Sequence, residues 1–88
     1  MKYFEVNEPY YALLKAESQE KGIKEYINHV ADDDGTLSSE IKEVDRDYAL
    51  VNFSQALSEE GDFIPVNEVL ELFNNEKVNV LVIDGSLV

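Results

Sequence analysis

Cysteine is absent from this sequence, tryptophan too, and histidine occurs once, at His29. Without thiols there is no disulfide staple, no thiol nucleophile and no cysteine-ligated zinc. A single imidazole leaves little room for acid–base relays. Bases are scarce as well: seven stand against nineteen acids, for a net charge of −12. Nucleic-acid binders need a cationic footprint on phosphates, and anionic membranes attract the same kind of surface. Direct nucleic-acid binding and membrane docking are therefore not expected. No apolar run approaches the roughly 18 residues of a membrane span, and the first residues lack the apolar core of a signal peptide. These absences point to a soluble domain in the cytoplasm.

What is present suits a folded domain. Hydrophobic residues make up 44% and charged residues 30%, a globular composition rather than a disordered one. A chain this short folds around one core, so residues 1–88 read as a single domain. The charge is unevenly placed. Residues 1–31 carry five acids and four bases, a net of −1, while residues 32–88 carry fourteen acids and three bases, a net of −11. Bringing those carboxylates together costs stability through self-repulsion, so a chain that keeps them gains solubility or uses the surface.

The pattern predicts alternating strands and helices. Tyr3–Val6 and Tyr10–Lys15 are extended and apolar, and the run Tyr10–Leu14 suits a strand covered on at least one face. Pro9 between them lacks a ladder donor and predicts a bulge or an edge. Ser18 is placed to cap a helix whose Ile23, Tyr26, Ile27, Val30 and Ala31 fall on one stripe. Gly22 weakens that helix, and it should stop near Asp32–Gly35, where Gly35 can turn left-handed. Ile41–Val44 reads as a short strand. Asp45 then caps a helix over 46–57 with Ala49, Leu50, Phe53, Ala56 and Leu57 on one face, although Tyr48–Phe53 is apolar on both parities and also admits a strand. Pro65 opens a third helix with Val66, Val69, Leu70 and Phe73 aligned. Val78–Ile83 is the clearest strand, and its apolar density predicts a central place. The expected fold is α+β: a small sheet of three or four strands with about three helices packed on one face. Tyr11, Tyr26 and Phe53 are expected inside, Tyr10 and Tyr48 outside.

Motifs for chemistry do not assemble. If Gly35 were the sixth position of a calcium loop, the first would be Val30 and the twelfth Ile41, so the first and the closing ligand are both missing. With nineteen acids, some carboxylate pair fits any spacing by chance, and none is framed as a catalytic pair would be. His29 lies off the apolar stripe and reads as a surface residue. There is no nucleophile elbow and no Gly-rich phosphate loop. Neither catalysis, nor a cofactor, nor a metal is expected.

The segments Glu8–Ala16 (EPYYALLKA), Asp47–Leu50 (DYAL) and Val80–Leu87 (VLVIDGSL) resemble small acidic proteins encoded by phages and prophages of Gram-positive bacteria. Such proteins include inhibitors of host defence, anti-CRISPR proteins among them, and many of those occupy a basic nucleic-acid channel. The resemblance implies a non-enzymatic inhibitor acting in the host bacterial cell, with carboxylates standing in for phosphates. Its partner would be a basic host protein, such as a CRISPR or other defence nuclease complex. The residues put forward for contact are Asp32, Asp33, Asp34, Glu40, Glu43, Asp45, Asp47, Glu59, Glu60 and Asp62, with Tyr10 and Tyr48 as aromatic anchors. The alternative is a small oligomeric adaptor or regulator, a homodimer for example, that binds through sheet edges and tyrosines while charge serves solubility.

One consequence is measurable on the isolated chain. Salt screens like charges over about 10 Å at 0.1 M. The melting temperature should therefore rise as NaCl goes from about 10 to about 300 mM. A flat or falling curve in differential scanning fluorimetry would show that the carboxylates are dispersed or internally paired.

Overall fold

A computed structural model describes residues 1–8, 10–32, 35–57 and 64–83. Two strands form a hairpin at the centre: β1 (Lys2–Val6) and β2 (Ala12–Ala16). Helix α1 (Gln19–His29) and a single turn, α2 (Leu37–Glu40), lead to β3 (Ile41–Val44). Helices α3 (Arg46–Leu57) and α4 (Val66–Asn74) lead to β4 (Val80–Ile83). The sheet order is β3-β1-β2-β4, with every neighbouring pair antiparallel.

The α+β class and the four strands match the sequence reading. The placement of the helices does not. Side chains alternate across a strand, and here both alternations are apolar. Phe4, Val6, Ala12, Leu14 and Ala16 face Tyr26, Leu37 and Ile41 on the side of α1 and α2. Tyr3 and Leu13 face Ala49, Phe53, Val69 and Phe73 on the side of α3 and α4. Helices thus cover both faces, not one, because each of the two crossovers carries its helices over a different side. All five residues of β2 are buried as a result.

Strand β4 is an edge among the described residues, not the central strand its composition suggested. Its apolar density has another cause. Val80 packs on the α1 side while Leu81 and Val82 pack on the α3–α4 side. The register shifts between Leu13, opposite Val82, and Leu14, opposite Val80, which leaves Leu81 as an extra residue. Such a bulge bends an edge strand and re-aims its side chains. The bulge or edge expected at Pro9 lies outside the described residues.

Local signals were kept in the first half. Ser18 accepts a hydrogen bond from the Lys21 backbone N–H and caps α1. Gly35 has φ of 99°, the left-handed region. Gly22 lies where α1 comes closest to the sheet: a Cβ there would stand 3.4 Å from both Ile41 Cδ1 and Phe4 Cδ2. Tyr26 is fully buried, whereas Ile27 is exposed at the margin of the expected stripe. In α3, Ala49 and Phe53 are buried and Leu50 and Ala56 half-buried, while the side chain of Leu57 lies outside the described residues. In α4, Val69 and Phe73 are buried but Val66, expected inside, is exposed.

Three rings knit the second core. Tyr3 stacks on Phe73 with centroids 5.1 Å apart and planes within 5°. Phe53 tilts against the same ring at 5.8 Å. Such pairs contribute about 0.5–1.5 kcal/mol each beyond burial.

On the opposite face, Tyr26 holds the hairpin loop. Its hydroxyl donates to the Tyr10 carbonyl at 2.9 Å and accepts from the Tyr10 N–H at 3.1 Å. Removing the oxygen leaves two backbone groups in a partly buried place without partners. Tyr26→Phe should therefore lower stability by about 1–3 kcal/mol, read from urea unfolding midpoints. A midpoint equal to that of the unmodified chain would mean that water replaces the hydroxyl at no cost.

Candidate functional site

The segment from Glu40 to Tyr48 gathers more of the candidate contact residues than any other described part. Glu43 is exposed on β3, and Asp45, Asp47 and Tyr48 are exposed at the start of α3. Glu40, the last residue of α2, is half-buried. The Asp45 carbonyl accepts the first helical bond from Ala49 N–H at 3.0 Å, so Asp45 stands where α3 begins. Negative residues at that end of a helix are favourable. Asp32 is exposed beyond α1. Asp33, Asp34, Glu59, Glu60 and Asp62 lie outside the described residues.

Two cations interrupt this acidic run in the sequence, Lys42 and Arg46. Arg46 is exposed but leans on α4: its guanidinium lies 5.2 Å from the Phe73 ring centre and donates to Asn74 Oδ1 at 3.2 Å. Its charge serves the contact between α3 and α4. Lys2 approaches Glu43 at 3.9 Å, with both side chains more than half exposed. Such a pair contributes little. Glu43, Asp45 and Asp47 therefore border a shallow open edge, beside a depression of about 430 Å³ reached by Lys2, Tyr3, Glu43, Val44, Asp45 and Arg46. Among the described residues, no three acidic or imidazole groups are placed to hold a metal ion, and no helix is long and apolar enough to cross a membrane.

A polar cluster beside this edge was not foreseen. Glu5 shares the strand parity of buried Tyr3 and so points under α3. Its Oε2 accepts from the Tyr11 hydroxyl at 2.8 Å, the Tyr48 hydroxyl at 2.8 Å and Asn52 Nδ2 at 3.4 Å. Asn52 also donates to the Tyr11 oxygen. One carboxylate thus ties β1, the start of β2 and α3 together. Its signal was available, since a glutamate stands at a buried parity, but its partners lie up to 43 residues away. Tyr48 is half exposed and Tyr10 somewhat less so. The Tyr48 hydroxyl is spent on Glu5, which fixes the ring and leaves one side of it open. The Tyr10 backbone is fixed by Tyr26, with its ring at the surface. His29, as expected, is exposed; it sits 3.2 Å from Glu25 one turn earlier.

The sequence has a relative of known origin. The family model described as the YosH C-terminal domain matches residues 1–82. The chain belongs to that family. It is 48% identical over 88 residues to the SPbeta prophage-derived uncharacterized protein YosH of Bacillus subtilis (strain 168). That match covers 99% of this chain and 56% of the relative, so the chain spans little more than half the length of YosH. No solved structure matches it significantly. A prophage-derived member of the YosH C-terminal domain family bears out the phage and prophage side of the resemblance.

The polar cluster makes a titration prediction. Burial is the first cause that raises the Tyr11 pKa far above its ordinary 10.0, and the Glu5 bond and charge add to it. For Tyr48 the Glu5 hydrogen bond comes first. Both pKa values are higher folded than unfolded, so the stability these groups contribute is complete below pH 10 and is lost as pH rises above it. The tyrosinate absorbance should show Tyr11 and Tyr48 ionising late. Glu5→Gln should bring Tyr48 down most and leave Tyr11 high. Equal falls for both would show that the carboxylate, not burial, governs Tyr11.

Proposed function

We propose that this chain is a non-enzymatic binding protein that acts in the bacterial host cell on a basic partner protein. Its acidic edge takes the place of nucleic-acid phosphates on that partner. In its sharpest form the reading is inhibition of a host nucleic-acid-handling defence protein, such as a CRISPR or other nuclease complex. One observation carries it: Glu43, Asp45 and Asp47 are all exposed on one short segment, where the guanidinium of Arg46 is engaged with Phe73 and Asn74. Exposed carboxylates steer encounter with a basic groove and disfavour acidic partners. The net charge of −12 adds long-range attraction. The prophage origin of YosH is consistent with a product that meets host machinery.

The adaptor reading draws on a different feature. Strand β4 is an apolar edge unpaired on its outer side among the described residues, and open edges recruit further strands. Light scattering separates the two: a stable homodimer favours the adaptor.

Affinity capture from a bacterial lysate at low salt tests the main reading. A basic protein should be retained, and duplex DNA or added salt should release it. The double variant Glu43→Lys, Asp47→Lys should associate about tenfold more slowly or worse while still unfolding cooperatively, since both positions are exposed. The mimicry idea fails if DNA does not compete, or if the double variant binds as well as the original while Tyr10→Ala or Tyr48→Ala abolishes capture.

A further inference from the structure

Helix α3 is apolar on two sides, and only one of them meets the sheet. Ala49 and Phe53 pack inward. Val51 faces the other way and Leu50, half-buried against the same core, lies between; together with Ser54, Ile64, Val66 and Leu70 they line a groove of about 280 Å³ between α3 and α4. Val51 is 57% exposed and Val66 68% exposed. A helix that is apolar most of the way round normally has a second neighbour. Two exposed valines on opposite walls of one groove form a contiguous patch rather than scattered surface residues.

We propose that this groove docks a short amphipathic helix of another protein whose apolar stripe is flanked by lysine or arginine. Its apolar lining suits a helix. On α3 the stripe runs Leu50, Val51, Ser54, and on α4 Val66, Val69, Leu70, each about one turn at helical spacing. A third helix laid between two others buries such stripes, and Ser54 is small enough to admit close approach.

The charge around the groove selects the occupant. Asp47 precedes Leu50 and Val51 by three and four residues and so heads the same face of α3. Glu71 adjoins Leu70 on α4. Both are exposed. Across the two helices the acids are Asp47, Glu68 and Glu71, and the one base, Arg46, is engaged with Phe73 and Asn74. A second copy of the chain would bring another −12 to this rim, and repulsion disfavours it. A neutral apolar helix would desolvate the rim carboxylates without pairing them. A basic amphipathic helix satisfies both the floor and the rim. The inference rests on the reading of the chain as a binder of basic proteins, and it adds a second, apolar contact separate from the β3 edge.

The probe is a synthetic peptide with leucines at i, i+3, i+4 and i+7 and lysines elsewhere, titrated calorimetrically into the full chain. Binding should fall about tenfold or more in Val51→Lys and in Val66→Lys, with melting temperatures unchanged because both side chains are exposed. Glu43→Lys should weaken it far less. A scrambled peptide of the same composition should bind much more weakly, and so should one with glutamates for lysines. Equal binding of the scrambled peptide, equal binding of the acidic peptide, indifference to both groove variants, or a homodimer closed through Val51 and Val66 would each overturn the proposal. Failure of the mimicry reading is distinguishable: peptide binding would persist while DNA no longer competes in lysate capture.

Discussion

A lysine inside the sheet closes the far end of the fold. Lys15, in the central strand β2, is only 3% exposed. Its ammonium donates to the carbonyls of Phe73 and Asn75, both at 2.6 Å. Those oxygens are at the C-terminal end of α4, where carbonyls lack helical donors and the dipole is negative. No glycine ends this helix. Instead the chain leaves in an extended conformation at Asn75, whose side chain accepts from the Lys77 N–H. Burial holds the Lys15 pKa below its usual range, with Glu76 opposing that shift. The charge is thus a strain on the fold, offset by two charge-assisted bonds. Through it the position of α4 is referred to the middle of the sheet, and β4 follows a few residues later, bonded back to the same residue through Lys15 N–H and the Asn79 carbonyl at 2.8 Å.

Two cores, one on each side of a thin sheet, explain why so small a chain needs such polar devices. Each layer is shallow. Tyr26 secures the first layer to the hairpin loop, Glu5 secures α3 to the second, and Lys15 secures α4. All three are polar atoms at places where pure packing would leave register undefined. Among the described side chains no buried nitrogen or oxygen lacks a hydrogen-bond partner, so each device is complete.

Much of the secondary structure was legible, because its signals are local. Ser18 as a cap, Gly35 as a left-handed turn, the β3 strand and the α3 helix each depend on a few neighbouring residues. Topology was not legible. Whether α3 and α4 pass above or below the sheet is decided by crossover geometry, and a strand buried on both faces shows no alternation to reveal its sides. The apolar density of β4 suggested a centre, yet it reflects one edge strand feeding two cores through a bulge at Leu81. The acidic run from Glu40 to Asp47 could be read directly as candidates. The engagement of Arg46 with α4 and the capture of Tyr48 by Glu5 could not, since both depend on contacts between distant segments. The double-sided apolarity of Tyr48–Phe53 was visible as an ambiguity between helix and strand. It resolves as a helix with an inner and an outer apolar face.

Gly22 acts as a spacer gauge. Alanine at this position would just touch Ile41 and Phe4. Since Ile41 is the first residue of β3, the thickness of the α1 layer at that point also sets where the outer strand sits, and with it Glu43 and the beginning of α3. A bulkier side chain at position 22 would act as a wedge on the far side of the sheet from α3. The carboxylate array would then shift although no acidic residue had been changed.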